Sequence, residues 1–529
     1  MKSSFFLVIP NQYQNQERLK SFKESSLDQW LEALPSANYG LSVQLVYDLL
    51  VEFNKIEMDA CFRLDALEVL RPSFLGIQEY LRSRLTASGF PKSEDHKKIF
   101  KVLISVQREF AISYWIAAKE RTKKNIGWLK GKEITLAVQR VMRCLSEIIV
   151  SCYLLKVPVP GWVWIDVHSL FRLSETISKS TVKVSDQSCV FNKTTSIEDT
   201  YKQILLLSLA QPNGLRQKEV IQTYRFCEHF ASILLINKEV VPGQRCQNII
   251  ITDGDRAPFQ VNSAAYTAID SAIIFLKFTK VALQLDKKKT VAKHLTARFS
   301  AINLDINVID KLPLELIEYI ELNWAGFTLN KTTPFSDRLD RNFAIGLAPT
   351  YELMTTLALD LNADTEMEYF AETSSDKSLI LKSKVDDVLS VGSLISLRKP
   401  NEPHKKRAIG VISSISLASL ESNADFEVKL LGEKIRAATI SFTPDGKASE
   451  DTSVLFYITQ NGQDKRSYLI TESFMLKNDD IVKLCIDDRE FPVVLRKRNT
   501  IGLGYWQFEC RRIKQQEQET NIKKGYKFI

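Results

Sequence analysis

Residues able to do covalent or metal chemistry are scattered through this 529-residue chain without the spacing that such chemistry needs. The five histidines, at 96, 168, 229, 294 and 404, fall on different elements, and His168 and His229 sit in apolar helical contexts that suit buried structural residues better than ligands. The eight cysteines occur singly, with no CxxC pair, which is reduced-compartment usage and leaves no zinc-ligand spacing. Asp253-Gly254-Asp255 supplies too few oxygens for calcium or magnesium and reads as a turn. HExxH, GxSxG and GxxxxGK[ST] are all absent from the sequence. The expectation is a protein that is not an enzyme, has no catalytic residues and requires no cofactor or metal.

What remains is cationic. Arg338 and Arg341, in Asp337-Arg338-Leu339-Asp340-Arg341, offer guanidinium forks of the kind that grip phosphate, but a solvated turn between two parts of the chain is the preferred reading. Arg398-Lys399 and Lys405-Lys406-Arg407 flank Pro400 and Pro403 in a loop between two expected strands. Such a loop can neutralise phosphates, but a charged, soluble hairpin tip is the preferred reading. Arg496, Lys497, Arg498, Arg511 and Arg512 interleave with Tyr505 and Trp506, a mixture that suits single-stranded nucleic acid. Aromatics alternating on a strand explain the same pattern, so nucleic acid is not an expected partner. With 71 basic against 63 acidic side chains, the net charge of +8 is a mild bias that permits an anionic partner without demanding one.

The elements that must position these residues change character along the chain. From about Glu17, apolar residues recur three and four apart, with helices expected near 72–86, 94–120, 132–156, 161–179, 195–210 and 216–237, and again over 264–285 and 313–324. Between them, residues 242–261 read as a β insertion turning at Asp253-Gly254-Asp255. Beyond Pro334 the period shortens to two, with strands expected over 391–397, 408–415, 426–431, 453–459, 467–471, 481–486, 492–495 and 506–511. Asn461-Gly462 and Asp487-Asp488 are expected hairpin turns. The fold class is therefore α+β and multidomain: a helical N-terminal domain (1–330), a first β unit (335–440), a second β unit (441–514) and a flexible tail (515–529). Phe5 to Ile9 is too short for a signal-peptide core, and no apolar run is long enough to span a membrane, so a soluble, cytoplasmic protein without membrane insertion is expected.

Two stretches carry a resemblance. Gly392-Ser393-Leu394-Ile395-Ser396-Leu397, Ile409-Gly410-Val411-Ile412-Ser413 and Phe426-Glu427-Val428-Lys429-Leu430-Leu431 are similar to successive strands of a PilZ domain, a bacterial β-barrel module. Ahead of the barrel, Leu34-Pro35-Ser36-Ala37-Asn38-Tyr39-Gly40 and Phe62-Arg63-Leu64-Asp65-Ala66-Leu67-Glu68-Val69-Leu70-Arg71-Pro72 resemble the start of proteobacterial PilZ-domain proteins with a long helical N-terminal region. The resemblance implies cyclic di-GMP as ligand, with Arg338, Arg341 and Ser374 at the family's gripping positions and Lys377, in place of the family's glycine, as an added cation. The family's RxxxR stands here as RxxR, and its [DN]xSxxG as Glu372-Thr373-Ser374-Ser375-Asp376-Lys377, so Ser374 alone matches outright. The implied role is cyclic di-GMP-linked signalling, as a PilZ-like receptor or as a degenerate adaptor acting through protein contacts; the alternative is a helical scaffold that binds a protein partner and no nucleotide.

Overall fold

The computed structural model describes residues 5–35, 38–123, 131–244, 246–262, 272–292, 312–327, 333–356, 366–382, 385–441, 451–462 and 464–513. The expected linker residues 331 and 332, the breaker Gly127 and the expected tail 515–529 lie outside them. The chain is α+β, a helical N-terminal region followed by two six-stranded barrels. It divides into two compact units, Met1–Arg338 with Glu372–Val391 and Ile412–Val428, and Leu339–Ala371 with Gly392–Val411 and Lys429–Ile529.

The helices are α1 (Gln16–Ser21), α2 (Glu24–Glu32), α3 (Tyr39–Lys55), α4 (Ala60–Leu85), α5 (Glu94–Lys123), α6 (Gly131–Leu154), α7 (Val163–Thr176), α8 (Ile197–Leu209), α9 (Gln217–Ala231), α10 (Thr279–Ala292), α11 (Leu314–Trp324) and α12 (Leu347–Thr355). Their starts are written locally: the Asn38, Asp59 and Ser196 side chains accept backbone N–H groups of the first turns of α3, α4 and α8. The hub is α6, buried on every face from Ala137 to Cys152, with α4, α5, α7, α8 and α9 packed around it. α4 begins well before its expected start and runs straight through Pro72. A proline inside a helix costs about 3 kcal/mol, and here both flanks are pinned by packing, with Leu67, Leu70 and Phe74 all buried.

The expected insertion is larger than a hairpin. β4 (Cys246–Ile251) pairs with β5 (Phe259–Asn262), and β3 (Leu235–Asn237) and β6 (Ile273–Lys277) extend the sheet in the order β3-β6-β4-β5. Two helical expectations fail here, because 235–237 and 273–277 are strands. Ile273-Ile274-Phe275-Leu276 is a short apolar run rich in β-branched and aromatic residues, which cannot be told from a buried helical segment by period alone. The remaining helical-region strands, β1 (Val184–Ser185) and β2 (Thr194–Thr195), form a two-residue ladder.

The first barrel joins β7 (Arg341–Ile345), β8 (Tyr369–Thr373), β9 (Ser378–Leu381), β10 (Leu394–Arg398), β11 (Ala408–Leu417) and β12 (Ala424–Gly432) in the order β10-β11-β12-β9-β8-β7. The second joins β13 (Ile435–Ser441), β14 (Thr452–Asn461), β15 (Asp464–Thr471), β16 (Ile481–Ile486), β17 (Arg489–Gly502) and β18 (Tyr505–Arg512) in the order β13-β14-β15-β18-β17-β16. The expected turn at Asp487-Asp488 forms, with Ile486 paired to Arg489 and φ of 49° and 60° at the two aspartates, the sign that a tight two-residue turn between twisted strands demands. The other expected hairpin forms one residue further on, because Asn461 ends β14 paired with Asp464 and Gly462, at φ +60°, begins the turn. Closure removes free sheet edges, and the second barrel is filled by Val454, Leu469, Val482, Leu484, Val493, Leu495 and Phe508.

Candidate functional site

The four residues implied by the resemblance take up different positions. Ser374 and Lys377 lie in the turn between β8 and β9. Ser374 Oγ is 2.7 Å from Ser378 Oγ and donates to Asp425 Oδ2 at 3.2 Å, while Ser375 Oγ accepts the N–H groups of Lys377 and Ser378 at 3.2 and 3.1 Å. The result is a hydroxyl-rich turn with an exposed Lys377. Glu372, in the position of the family's Asp or Asn, is ion-paired with Lys382 at 2.6 Å. Arg338 is exposed with φ 52°. Its N–H bonds Phe335 O at 2.9 Å, and Phe335 N–H bonds Asp376 O at 3.0 Å, so the Arg338 segment is tied to the turn that carries Ser374 and Lys377. Arg341 is the first residue of β7, in register with Ala371, and is buried. Its Nη1 folds back onto Leu339 O and Asp340 O, the latter at 3.1 Å. Arg338 therefore lies on a segment joined through the backbone to the turn that carries Ser374 and Lys377, with the Asp425 carboxylate beside Ser374.

The basic loop is not the soluble tip expected of it. Arg398, His404 and Arg407 are buried, and a carboxylate from outside the loop, Glu368, explains why. Arg398 reaches it with Nη2 at 2.6 Å and Nε at 3.0 Å, and Arg407 with Nη1 at 2.5 Å. Arg407 Nε donates to Ser396 Oγ at 2.8 Å, and Ser396 Oγ is 2.8 Å from Thr350 Oγ1. Burial opposes ionisation of Glu368, but the two guanidiniums prevail and hold its carboxyl below the usual range. Lys405 and Lys406 do stay exposed. Two charges of the cluster are thus spent inside the protein.

A larger knot lies in the helical region, away from every residue that the sequence singles out as a site. The buried Asp186 carboxylate accepts Arg71 Nη2 at 2.7 Å, Arg143 Nε at 2.9 Å and Gln139 Nε2 at 2.8 Å, with Arg140 Nη1 at 3.8 Å. Arg140 also makes a bidentate pair with Glu68 at 2.9 and 2.7 Å, and Tyr114 donates to the same carboxylate at 2.6 Å. Burial alone would raise the Asp186 carboxyl, yet the three guanidiniums drive it far below the usual range. Arg63 is fully buried, donating to Phe53 O and Ile56 O at 3.1 and 2.7 Å. So the stretch from Phe62 to Pro72 is a set of clamps: the buried Arg63 closes the end of α3, the half-buried Glu68 grips α6, and the buried Arg71 holds the loop after β1. The signal was present in Gln139-Arg140-Val141-Met142-Arg143, since two arginines within a helix buried all round demand carboxylates.

The pair Asp253 and Asp255 has a structural part. Asp255 accepts backbone N–H groups of Trp164 and Ile165 at the start of α7, and the neighbouring Asp166 carboxylate accepts Phe6 and Leu7 N–H at 2.8 and 2.9 Å. Among the described residues no group of three His, Cys, Asp or Glu is placed to hold a metal, and no helix is long and apolar enough to cross a membrane.

Residues 25–239, which contain both the Phe62 to Pro72 clamps and Asp186, match the family described as the cyclic-di-GMP receptor FimW, N-terminal domain. The cyclic-di-GMP receptor FimW of Pseudomonas aeruginosa is 23% identical over 300 residues, covering 56% of this chain and 47% of that protein. The match thus spans about half the length of the curated relative. A solved structure titled MrkH, a novel c-di-GMP dependence transcription regulatory factor, aligns over 33% of this chain and 87% of its own at 10% identity with a TM-score of 0.13, too slight a likeness to bear on the fold.

Proposed function

We propose that this chain is a cytoplasmic cyclic di-GMP-linked signalling receptor that binds rather than catalyses, and passes its signal on through protein contacts. The observation that carries the reading is the match of residues 25–239 to the N-terminal domain of a cyclic-di-GMP receptor, in a chain whose helical region is followed by barrels. The first barrel is read as PilZ-like, and its ligand turn as Arg338, Ser374 and Lys377. Arg338 and Lys377 neutralise phosphate, and the Ser374 hydroxyl donates to it. Arg341 contributes little, because its guanidinium is turned back on its own segment.

Affinity is modest on this reading. A charge-assisted bond contributes about 1.5–3 kcal/mol, and losing the family's second arginine and its glycine takes a micromolar ligand towards the high micromolar range at about 1.4 kcal/mol per tenfold. The test is calorimetric titration of the full chain with cyclic di-GMP. Saturable binding with a Kd on the order of 100 μM, abolished by Arg338→Ala with Lys377→Ala and little changed by Arg341→Ala, is the expected result. No saturation at millimolar ligand overturns the reading in favour of a scaffold that binds protein partners without nucleotide.

A further inference from the structure

The second barrel contains a cavity of about 490 Å³ at one end, lined by Arg436, Phe456, Leu484, Phe491, Cys510 and Arg512 among others. Strand alternation makes this end unusual. Ala438 and Ile440 of β13 belong to the barrel core, so Arg436, two residues earlier, lies on the same inward face; Phe508 and Cys510 of β18 do likewise, and Arg512 continues that face outward. The register brings the pieces together in pairs, Arg436 beside Phe456, Leu484 beside Phe491, Val493 beside Arg512 and Ser467 beside Cys510. Towards this end the inward positions therefore change from aliphatic to aromatic and then to arginine, with Arg489 added at the turn after β16.

Charge at this rim is not balanced. Arg436 makes one exposed ion pair with Asp487 at 2.9 Å, and Arg512 stacks its guanidinium 4.6 Å from the centre of the Phe491 ring. Among the described residues neither Arg489 nor Arg512 has a carboxylate partner. An exposed pair such as Arg436 with Asp487 is weak and opens readily to a competing anion. Below the rim the walls are apolar, formed by Leu484, Ile486 and Val493, with Phe456 and Phe491 half-buried above them. A concave apolar site of roughly 300–1,000 Å³ with a few convergent polar groups is the usual form of a small-molecule pocket.

We propose that the mouth of the second barrel is a binding site for a small amphipathic anion, its apolar or aromatic body inserted between Phe456 and Phe491 and its carboxylate or phosphate held by Arg436, Arg489 and Arg512. This site does not depend on the nucleotide turn of the first barrel. The guanidinium fork matches both kinds of head group, and the experiment separates them.

The test is fluorescence titration of the full chain with 1-anilinonaphthalene-8-sulfonate, an aromatic sulfonate, followed by displacement with decanoate and with decyl phosphate. One saturable site per chain is expected, emptied by one or both competitors; the better competitor identifies the head group. Arg436→Ala with Arg512→Ala should weaken probe binding at least about tenfold, the loss of one charge-assisted contact, and Arg512→Lys should recover part of it. Ser467→Phe, which fills the cavity without altering charge, should abolish binding while the thermal melting curve is retained. Absence of a saturable site, failure of both competitors, or probe binding that is indifferent to the arginine double change and to Ser467→Phe in folded protein would overturn the proposal.

Discussion

The two barrels treat arginine in opposite ways. In the first, Arg398 and Arg407 are buried, and Glu368 sits between them with bonds of 2.5–2.6 Å to both. In the second, Arg436, Arg489 and Arg512 stand exposed around a cavity whose described lining includes one acidic residue, Asp487. Closure of six strands is common to both. What differs is whether a carboxylate is supplied from within, and that decides whether a cluster of cations is internal structure or a surface offered to something else. A buried charge without a partner is too costly to persist, so a paired cluster can be buried whereas an unpaired one must stay wet.

The largest effect that follows belongs to the helical region, where the same pairing is carried further. Asp186→Asn leaves Arg71, Arg140 and Arg143, all nearly inaccessible to solvent, without the charge they share. Removing one partner of a buried pair costs about 3–5 kcal/mol, and with three guanidiniums facing it this substitution belongs at the upper end. Thermal unfolding followed by circular dichroism should show a large fall in the helical transition, or failure to accumulate folded protein. A loss below about 1 kcal/mol would mean that water reaches the arginines and that burial does not dictate pairing.

Glu368→Gln should be next, at about 3 kcal/mol, and it carries a pH signature. The folded-state carboxyl lies below its ordinary value, so the stability it confers is fully present above about pH 4.5 and is lost as pH falls through the folded value. Pepsin digestion of the wild type at falling acid pH should therefore open first around the Arg398 to Arg407 loop. The Gln variant should be cut there already at about pH 5, where the charge it lacks would otherwise be present. Replacing Glu368, Arg398 and Arg407 together by apolar residues should restore much of the stability, which separates the cost of an orphaned charge from the value of the pair.

How far these differences can be read from sequence depends on separation along the chain. The change from helical to strand periodicity near residue 335, the turns at Gly462 and Asp487-Asp488, and most strands of the second barrel were legible, because each is a local pattern. Glu368 is 30 residues from Arg398 and 39 from Arg407, and Asp186 is 115 from Arg71. No local pattern joins them. That is why the loop from Arg398 to Arg407 reads as a soluble tip, and why Arg63, Glu68 and Arg71 read as part of a packed helix pair without their buried partners. The strands β7, β8, β9 and β13 are not legible for a related reason: they are short or carry polar residues such as Arg341, Glu372 and Arg436 where alternation should be cleanest. At the turn between β8 and β9, Ser374 and Lys377 are only three residues apart and so legible as a set. The folding back of Arg341 onto Leu339 and Asp340 is a matter of side-chain direction, which spacing does not encode.

The smallest expected effect is the sharpest test of the contrast between barrels. Arg436→Ala and Arg512→Ala remove charges that are exposed, and the one ion pair among them is between side chains 64% and 72% accessible. Surface changes of this kind alter stability by about 0.5 kcal/mol or less, with the lost stacking of Arg512 on Phe491 adding about 0.5–1 kcal/mol at an exposed site. The melting temperature of the double variant should therefore stay close to the wild type, and should rise slightly at low ionic strength if mutual repulsion among Arg436, Arg489 and Arg512 outweighs the Asp487 pair. Arg398→Ala, by contrast, should destabilise severely, because it takes a buried guanidinium from Glu368. Comparing the two substitutions in one melting series measures how much of each cluster is structure. If the rim variant lost as much stability as the buried one, the arginines at the mouth of the second barrel would be holding the fold together, and the cavity behind them would be a packing defect rather than an opening.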